Sequence, residues 1–387
     1  MTGYDDKGRH AGNGHVHGNN CQPGSAPHWT WPKVLNTRRV NVALQGGGAH
    51  GAFGWGVLDR LLEDGRIEIE AISGTSAGAM NAVVAADGLM EGGPARARQR
   101  LEQFWRRVSV DALTSPVRRS LFDMMFTSWS LDHNPLLMFY DMLTRVVSPY
   151  QFNPMNINPL RDLLRDQVNF DRVRSCDCVR LFISATNVHT SHAKVFTGKQ
   201  VSVDAVMASA CLPYLFQAVE IDGVPYWDGG YMGNPVMSPF FNCRSQDVML
   251  VQIIPIERHT TPTTAREIVD RLHEISFNAA LIKELRYVDF INQCLRRGDL
   301  KGAGFREMFI HNVSGCVEFE ALSPSSKLNA EWIFLTHLRD LGRHAAGEWL
   351  RLNFDQIGRA GTMDLEPFRC GMVDLELSPP GDTLVKR

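Results

Sequence analysis

The sequence lacks any run of about 18 uncharged apolar residues, so it predicts no membrane-spanning helix. No apolar h-region marks its N-terminus, which argues against a secretory leader. It also lacks an excess of charge: 40 Lys and Arg face 42 Asp and Glu, for a formal net charge of −2. No long basic run supplies a local patch, so a nucleic-acid partner is not expected. The eight cysteines never fall at C-x-x-C spacing. The closest pair, Cys176 and Cys178, would point to opposite faces of a strand, which suits neither a disulfide nor a zinc clasp. They read as reduced thiols, and the chain reads as cytoplasmic. No internal repeat is present, and the one sequon, Asn312-Val313-Ser314, means little without a secretory route.

What remains is ample material for a core: 387 residues, 44% hydrophobic and 21% charged, in the ordinary globular range. Length alone suggests two to three domains. Residues 1–36 are rich in Gly, His and Asn and poor in aliphatics, so they are expected to be disordered. Their His10, His15, His17 and His28 read as part of a polar tail rather than a metal site.

From Val40 the pattern changes. Val40, Val42 and Leu44 alternate into a glycine loop, and Phe53, Val57 and Leu61 then recur at helical spacing. Asp64-Gly65 ends that helix, and Ile67, Ile69 and Ala71 alternate into a second strand. The unit is β-α-β, which predicts parallel, neighbouring strands. Further along, Val179–Val188 and Asp247–Pro255 read as buried strands, and Ser202 caps a short helix. "AVEIDGVPYWDGG" reads as a hairpin turning at Asp222-Gly223. The segment 92–170 concentrates Met, Phe, Trp and Leu into helices, either packed on the core or forming a cap for lipid chains. From about Thr263 the chain reads as helical. Ile268, Leu272, Ile275, Ala279 and Ile282 form one stripe, and Trp332, Leu335 and Leu338 belong to a second helix over Glu331–Asn353. Packing on the α/β body is the expected use of both stripes, ahead of a membrane surface. The tail "LSPPGDTLVKR" is expected to fray.

Two glycine motifs carry chemistry. Gly46, Gly48 and Gly51 satisfy G-x-G-x-x-G, and Glu70 lies at a distance suited to a ribose contact, which leaves a nucleotide-binding reading open. However, Glu70 is followed at once by Gly74-Thr75-Ser76-Ala77-Gly78, a G-x-S-x-G pentapeptide between a strand and a small-residue helix. That is the context of a nucleophile elbow, where a strained turn exposes the serine hydroxyl. A serine needs a base to take its proton. A histidine could serve, yet none sits in a loop with a positional signature. Asp228 does, at a strand end and followed by Gly229 and Gly230, although an ordinary Asp-Gly turn is the bland alternative. The backbone N–H groups of Gly46, Gly47 and Gly48 at a helix start form an anion site suited to a tetrahedral oxyanion.

GGGAHG (Gly46 to Gly51), GTSAG (Gly74 to Gly78) and DGG (Asp228 to Gly230), in that order, resemble the patatin-like phospholipases, over about residues 38–257. The resemblance implies a three-layer α/β/α fold around a mostly parallel sheet. Residues 37–257 would be the catalytic domain, with 92–170 an insertion or cap, and 258–387 a C-terminal helical extension. It implies a Ser76–Asp228 dyad without histidine, an oxyanion hole at Gly46, Gly47 and Gly48, and no metal or other cofactor. The expected substrate is a lipid acyl ester, phospholipid or lysophospholipid, reached through peripheral membrane contact. A polyhydroxyalkanoate or acyl thioester is the alternative substrate, and a non-catalytic lipid-binding protein the alternative of another class. The chain departs from the family at His50, where many members carry Arg or Lys, so a fixed charge becomes a titratable one. Oligomeric state is not legible.

Overall fold

The computed structural model describes residues 29–31, 36–112, 129–131, 134–144, 146–300 and 304–369. The expected disorder of the rest of the N-terminal tail, and the fraying of the last residues, fall outside them.

The predicted β-α-β unit is present. Strand β1 (Arg38–Leu44) leads through a short 3-10 turn into helix α1 (Gly51–Asp64), which stops at Gly65 in the left-handed region (φ 73°). Strand β2 (Ile67–Gly74) then returns parallel to β1, with Leu44 opposite Gly74. This register sets the glycine loop and the serine turn side by side. Helix α2 (Ala77–Ala112) follows, broken by non-helical geometry at Gly92 and Gly93. Its first half is lined with buried Ala77, Ala79, Ala82, Ala85 and Ala86, which let it lie close to the sheet.

The helices that follow include α3 (Pro135–Thr144) and α4 (Pro159–Gln167). Strands β3 (Arg180–Asn187) and β4 (Ala193–Thr197) lead to helix α5 (Val203–Ser209), which Ser202 caps as expected by accepting from the Ala205 amide at 3.1 Å. The predicted hairpin is formed by β5 (Val219–Ile221) and β6 (Val224–Asp228), with Asp222 and Gly223 both at positive φ. Strand β7 (Asp247–Gln252) pairs parallel with the other edge of β1. The order β5-β6-β3-β2-β1-β7-β8 describes a mixed sheet; its centre is parallel, while β4 and the β5–β6 hairpin add antiparallel strands beside β3.

Strand β8 (Phe309–Ser314) was not expected. It lies in the region read as helical, and it extends the sheet parallel to β7. Its alternation is obscured because His311 is wholly buried, satisfied by Asp247 Oδ1 at 3.0 Å and Thr362 Oγ1 at 3.2 Å. The same region supplies helices α6 (Ala265–Arg297) and α7 (Trp332–Asn353).

Alternate side chains divide the sheet into two faces. Val42, Leu44, Met249 and Val251 join α1, α2 and α7 in one core, whereas Ala43, Val248, Leu250 and Ile310 join Leu281, Leu285 and Val288 of α6 in the other. Three α/β/α layers result. Helix α7 sits against α1 so closely that a Cβ at Gly342 would strike the Phe53 carbonyl. Among the described residues no helix is long and apolar enough to cross a membrane.

The segment read as core packing or cap is divided in its burial. Leu101, Phe104 and Trp105 of α2 are buried, whereas Met138, Phe139 and Met142 of α3 are exposed. This segment touches both flanks of the glycine loop and serine turn. The Leu131 amide donates to Ser325 Oγ at 3.0 Å, next to the turn behind the glycine loop. At its other end Tyr150 OH accepts from the Ala218 amide at 3.2 Å, beyond α5.

Candidate active site

Ser76 stands at φ 53°, in the left-handed region that a non-glycine residue rarely adopts. The strain is held in place from several sides. The Ser76 amide donates to Ser209 Oγ at 2.9 Å, and its carbonyl accepts from the Met80 amide at 3.1 Å as α2 begins. Beneath it, Thr75 Oγ1 donates to the Gly233 carbonyl at 2.8 Å and lies 2.6 Å from Ser184 Oγ. Ser73 Oγ donates to the Val236 carbonyl at 2.5 Å. These bonds fix residues 233–236, which follow Asp228, under the serine turn.

Asp228 ends β6 opposite Ala185 of β3 and is 2% exposed. Its amide donates to the Cys211 carbonyl and its own carbonyl accepts from Thr186 Oγ1, both at 2.8 Å. The carboxylate accepts from the Gly230 amide at 2.7 Å, and the Ser76 side chain is its other polar neighbour. Burial pushes its carboxyl up to about 7, against the downward pull of the Gly230 amide and the Ser76 side chain. Ser76 and Asp228, 152 positions apart in the chain, are therefore neighbours in space. Among the described residues no histidine hydrogen-bonds Ser76.

The glycine loop runs beside them. A Cβ at Gly46 would lie 2.7 Å from Ser76 Cβ and 2.6 Å from the Thr75 carbonyl oxygen, so only glycine fits there. The expectation for Gly46 as a donor needs correction: its amide is buried and already donates to Asn234 Oδ1 at 2.7 Å. The Gly47 and Gly48 amides have no acceptor among the described residues, and Gly48 is exposed. Gln45 anchors the loop from below, accepting from the Ile253 and Ile254 amides at 2.8 and 2.9 Å. Gly51, Gly74, Gly78 and Gly229 provide close approaches around this frame without polar groups of their own beyond the backbone.

His50 proves to be an interior residue. Its Nε2 is 2.7 Å from Ser326 Oγ, and that hydroxyl donates its proton to the Ser323 carbonyl at 2.6 Å. His50 must therefore donate, which fixes the neutral Nε2–H tautomer. Burial pushes its pKa well down, and the charges of Lys327 and Arg258 add to this. Beside it stands Lys327, whose carbonyl backs Gly48. Burial is the largest cause lowering its ammonium, while Glu274 and Asp270 oppose that effect.

Sequence reasoning missed Ser209, Asn234, Gln45 and Ser184. Each is a common polar residue with no motif around it, and only the fold brings it to the turn. Glu70, the candidate ribose ligand, is occupied elsewhere: it accepts from the Arg244 and Ser245 amides at 2.8 Å and pairs with Arg180 at 2.9 Å. No group of three or more metal-ligating side chains occurs among the described residues.

Among solved structures the chain is similar to VipD from Legionella pneumophila, at 14% identity and TM-score 0.40, covering 81% of this chain and 66% of that one. It is also similar to the type III effector protein ExoU, at 14% identity and TM-score 0.33, covering 81% of this chain and 53% of that one. The complex of ExoU with SpcU from Pseudomonas aeruginosa matches at 16% identity and TM-score 0.29, over 69% of this chain and 60% of that one. This chain thus spans less than two thirds of the length of each. No curated protein matched. The family model described as patatin-like phospholipase matches residues 42–240, more than half of the chain and the whole of the glycine loop, serine turn and Asp228 strand. This chain belongs to the patatin-like phospholipase family.

Proposed function

We propose that this protein is a serine acyl hydrolase that cleaves lipid acyl esters, of the phospholipid or lysophospholipid class, with a Ser76–Asp228 dyad. The observation that carries this is a serine at strained backbone geometry set beside a buried carboxylate whose pKa is raised to about 7. Ionised Asp228 takes the Ser76 proton as Oγ attacks the ester carbonyl. The Gly47 and Gly48 amides receive the oxyanion. Collapse leaves an acyl group on Ser76, and the departing alcohol takes the proton back from Asp228. Water then repeats the sequence and frees the fatty acid.

Peripheral docking on a lipid surface belongs to the same reading. Exposed apolar side chains occur on α3 (Met138, Phe139, Met142) and on the first turns of α6 (Ile268, Leu272, Ile275). Farther along α6, Phe277 packs on Gly230 and Tyr231. Exposed apolar side chains of this kind fit the surface of a lipid aggregate.

The test is turnover of p-nitrophenyl esters and phosphatidylcholine vesicles, with fluorophosphonate labelling of Ser76. Ser76→Ala and Asp228→Asn are each expected to cut turnover by about 10³-fold or more while the protein stays folded. Full activity in either variant would sink the dyad. Absence of fluorophosphonate labelling would favour a lipid-binding protein, and better competition by thioesters or polyhydroxyalkanoate oligomers would move the substrate class. Because Asp228 must be ionised to act, kcat/KM should rise with pH through about 7 and then level. Stability runs the other way. Between the ordinary carboxyl value of 3.8 and about 7, native Asp228 holds a proton that the unfolded chain has lost, so its contribution to stability falls as pH climbs through that window.

A further inference from the structure

Cys176-Asp177-Cys178 would face apart on a strand, but the chain here is not a strand. The Cys176 amide closes onto the Val173 carbonyl at 3.2 Å, and β3 begins only at Arg180. In this tight turn, residues two apart come to the same side, and the two sulfurs lie 3.0 Å from each other. Both cysteines are half-buried, so a small reagent can reach them. The Trp31 indole holds the turn from the N-terminal side, donating to the Cys178 carbonyl at 3.1 Å.

We propose that Cys176 and Cys178 form a redox-modification site, at which a hydroperoxide converts the dithiol to an intramolecular disulfide. Cys176 is the attacking sulfur. The neighbouring Cys178 thiol lowers its pKa most, with help from the Val179 and Cys178 backbone, while burial and Asp177 oppose them. Cys178 is pushed up. The Cys176 thiolate attacks one peroxide oxygen, the O–O bond breaks, and Cys176 becomes a sulfenic acid as an alcohol or water departs. Cys178 sulfur then attacks Cys176 sulfur, losing its proton, and the S–O bond breaks to release water. Two thiols and one hydroperoxide give one disulfide, one alcohol (or water) and one water. Cys211 and Cys243, each buried and pushed up to about 12, are by contrast expected to stay reduced.

The experiment uses the full chain, reduced and then exposed to hydrogen peroxide. Remaining thiols are alkylated under native conditions and mapped by mass spectrometry. The peptide holding both residues should become lighter by two hydrogens, resist alkylation, and regain both thiols with dithiothreitol. Before oxidation, Cys176 should alkylate about tenfold faster than Cys243. In Cys178→Ser, dimedone should trap a sulfenic acid at Cys176, and Cys243→Ser should oxidise as wild type. The proposal is overturned if the pair stays fully alkylatable after peroxide, or if Cys211, Cys243 or Cys294 oxidises first. The wild-type arm stands even where a variant fails to fold. It is also independent of the acyl-hydrolase reading, since no step requires turnover.

Discussion

Helices α6 and α7 carry apolar stripes of the same spacing, yet they use them in opposite ways. In α7 the stripe turns inward: Phe334, Leu335 and Leu338 are wholly buried against α1 and the sheet. In α6 the first half of the stripe turns outward, with Ile268, Leu272 and Ile275 exposed by 43%, 59% and 50%. The inner face of that half is polar. Glu274 accepts from both Arg258 and Arg271, and Asn278 donates to the Pro255 carbonyl at 2.8 Å. The expectation that both stripes pack on the body is thus corrected for the start of α6. Only from Leu281 to Val288 does α6 bury apolar residues in the second core. Spacing identifies a stripe, but the partner surface decides where it points. A carboxylate with guanidinium partners can occupy an inner face at modest cost.

That contrast can be broken in four places, taken from the largest expected effect to the smallest. Leu338→Ala should cost about 2–5 kcal/mol of unfolding free energy in urea, since it opens a cavity in the α1–α7 core. Glu274→Ala should cost about 2 kcal/mol, because it strands Arg258 and Arg271, which are only partly exposed; a stability unchanged within error would mean the polar inner face is ornamental. Leu272→Ser combined with Ile275→Ser should weaken binding to phosphatidylcholine vesicles about tenfold in co-sedimentation, with p-nitrophenyl ester turnover unchanged. The same pair should move the urea midpoint by less than about 0.5 kcal/mol equivalent. A large loss of stability there would return this face to the protein interior.

The reading of the site divides along similar lines. Glycine spacings and the strand-turn-helix context are local, and they located the serine turn and its neighbouring loop because parallel β1 and β2 must end together. The DGG turn was legible as a turn, and its meeting with Ser76 followed only from resemblance. The Gly46 amide, read as free, is held by Asn234, a residue 188 positions away. His50 reads as a titratable substitute for a basic residue, but the 323–326 turn encloses it. The paired thiols were misread because an i, i+2 spacing separates side chains in a strand and can join them in a turn.

By itself the sequence determined what short-range sterics and periodicity control: the β-α-β unit, the capped helices, the Asp222-Gly223 hairpin and the strained serine turn. Tertiary structure decided everything that depends on which distant surface arrives opposite. It brought Asp228 to Ser76, took the Gly46 amide out of play, neutralised His50 and left the α6 stripe facing outward. The physical reason is that hydrogen bonding and desolvation act over a few ångströms in space, and chain spacing alone does not encode which buried groups share that distance.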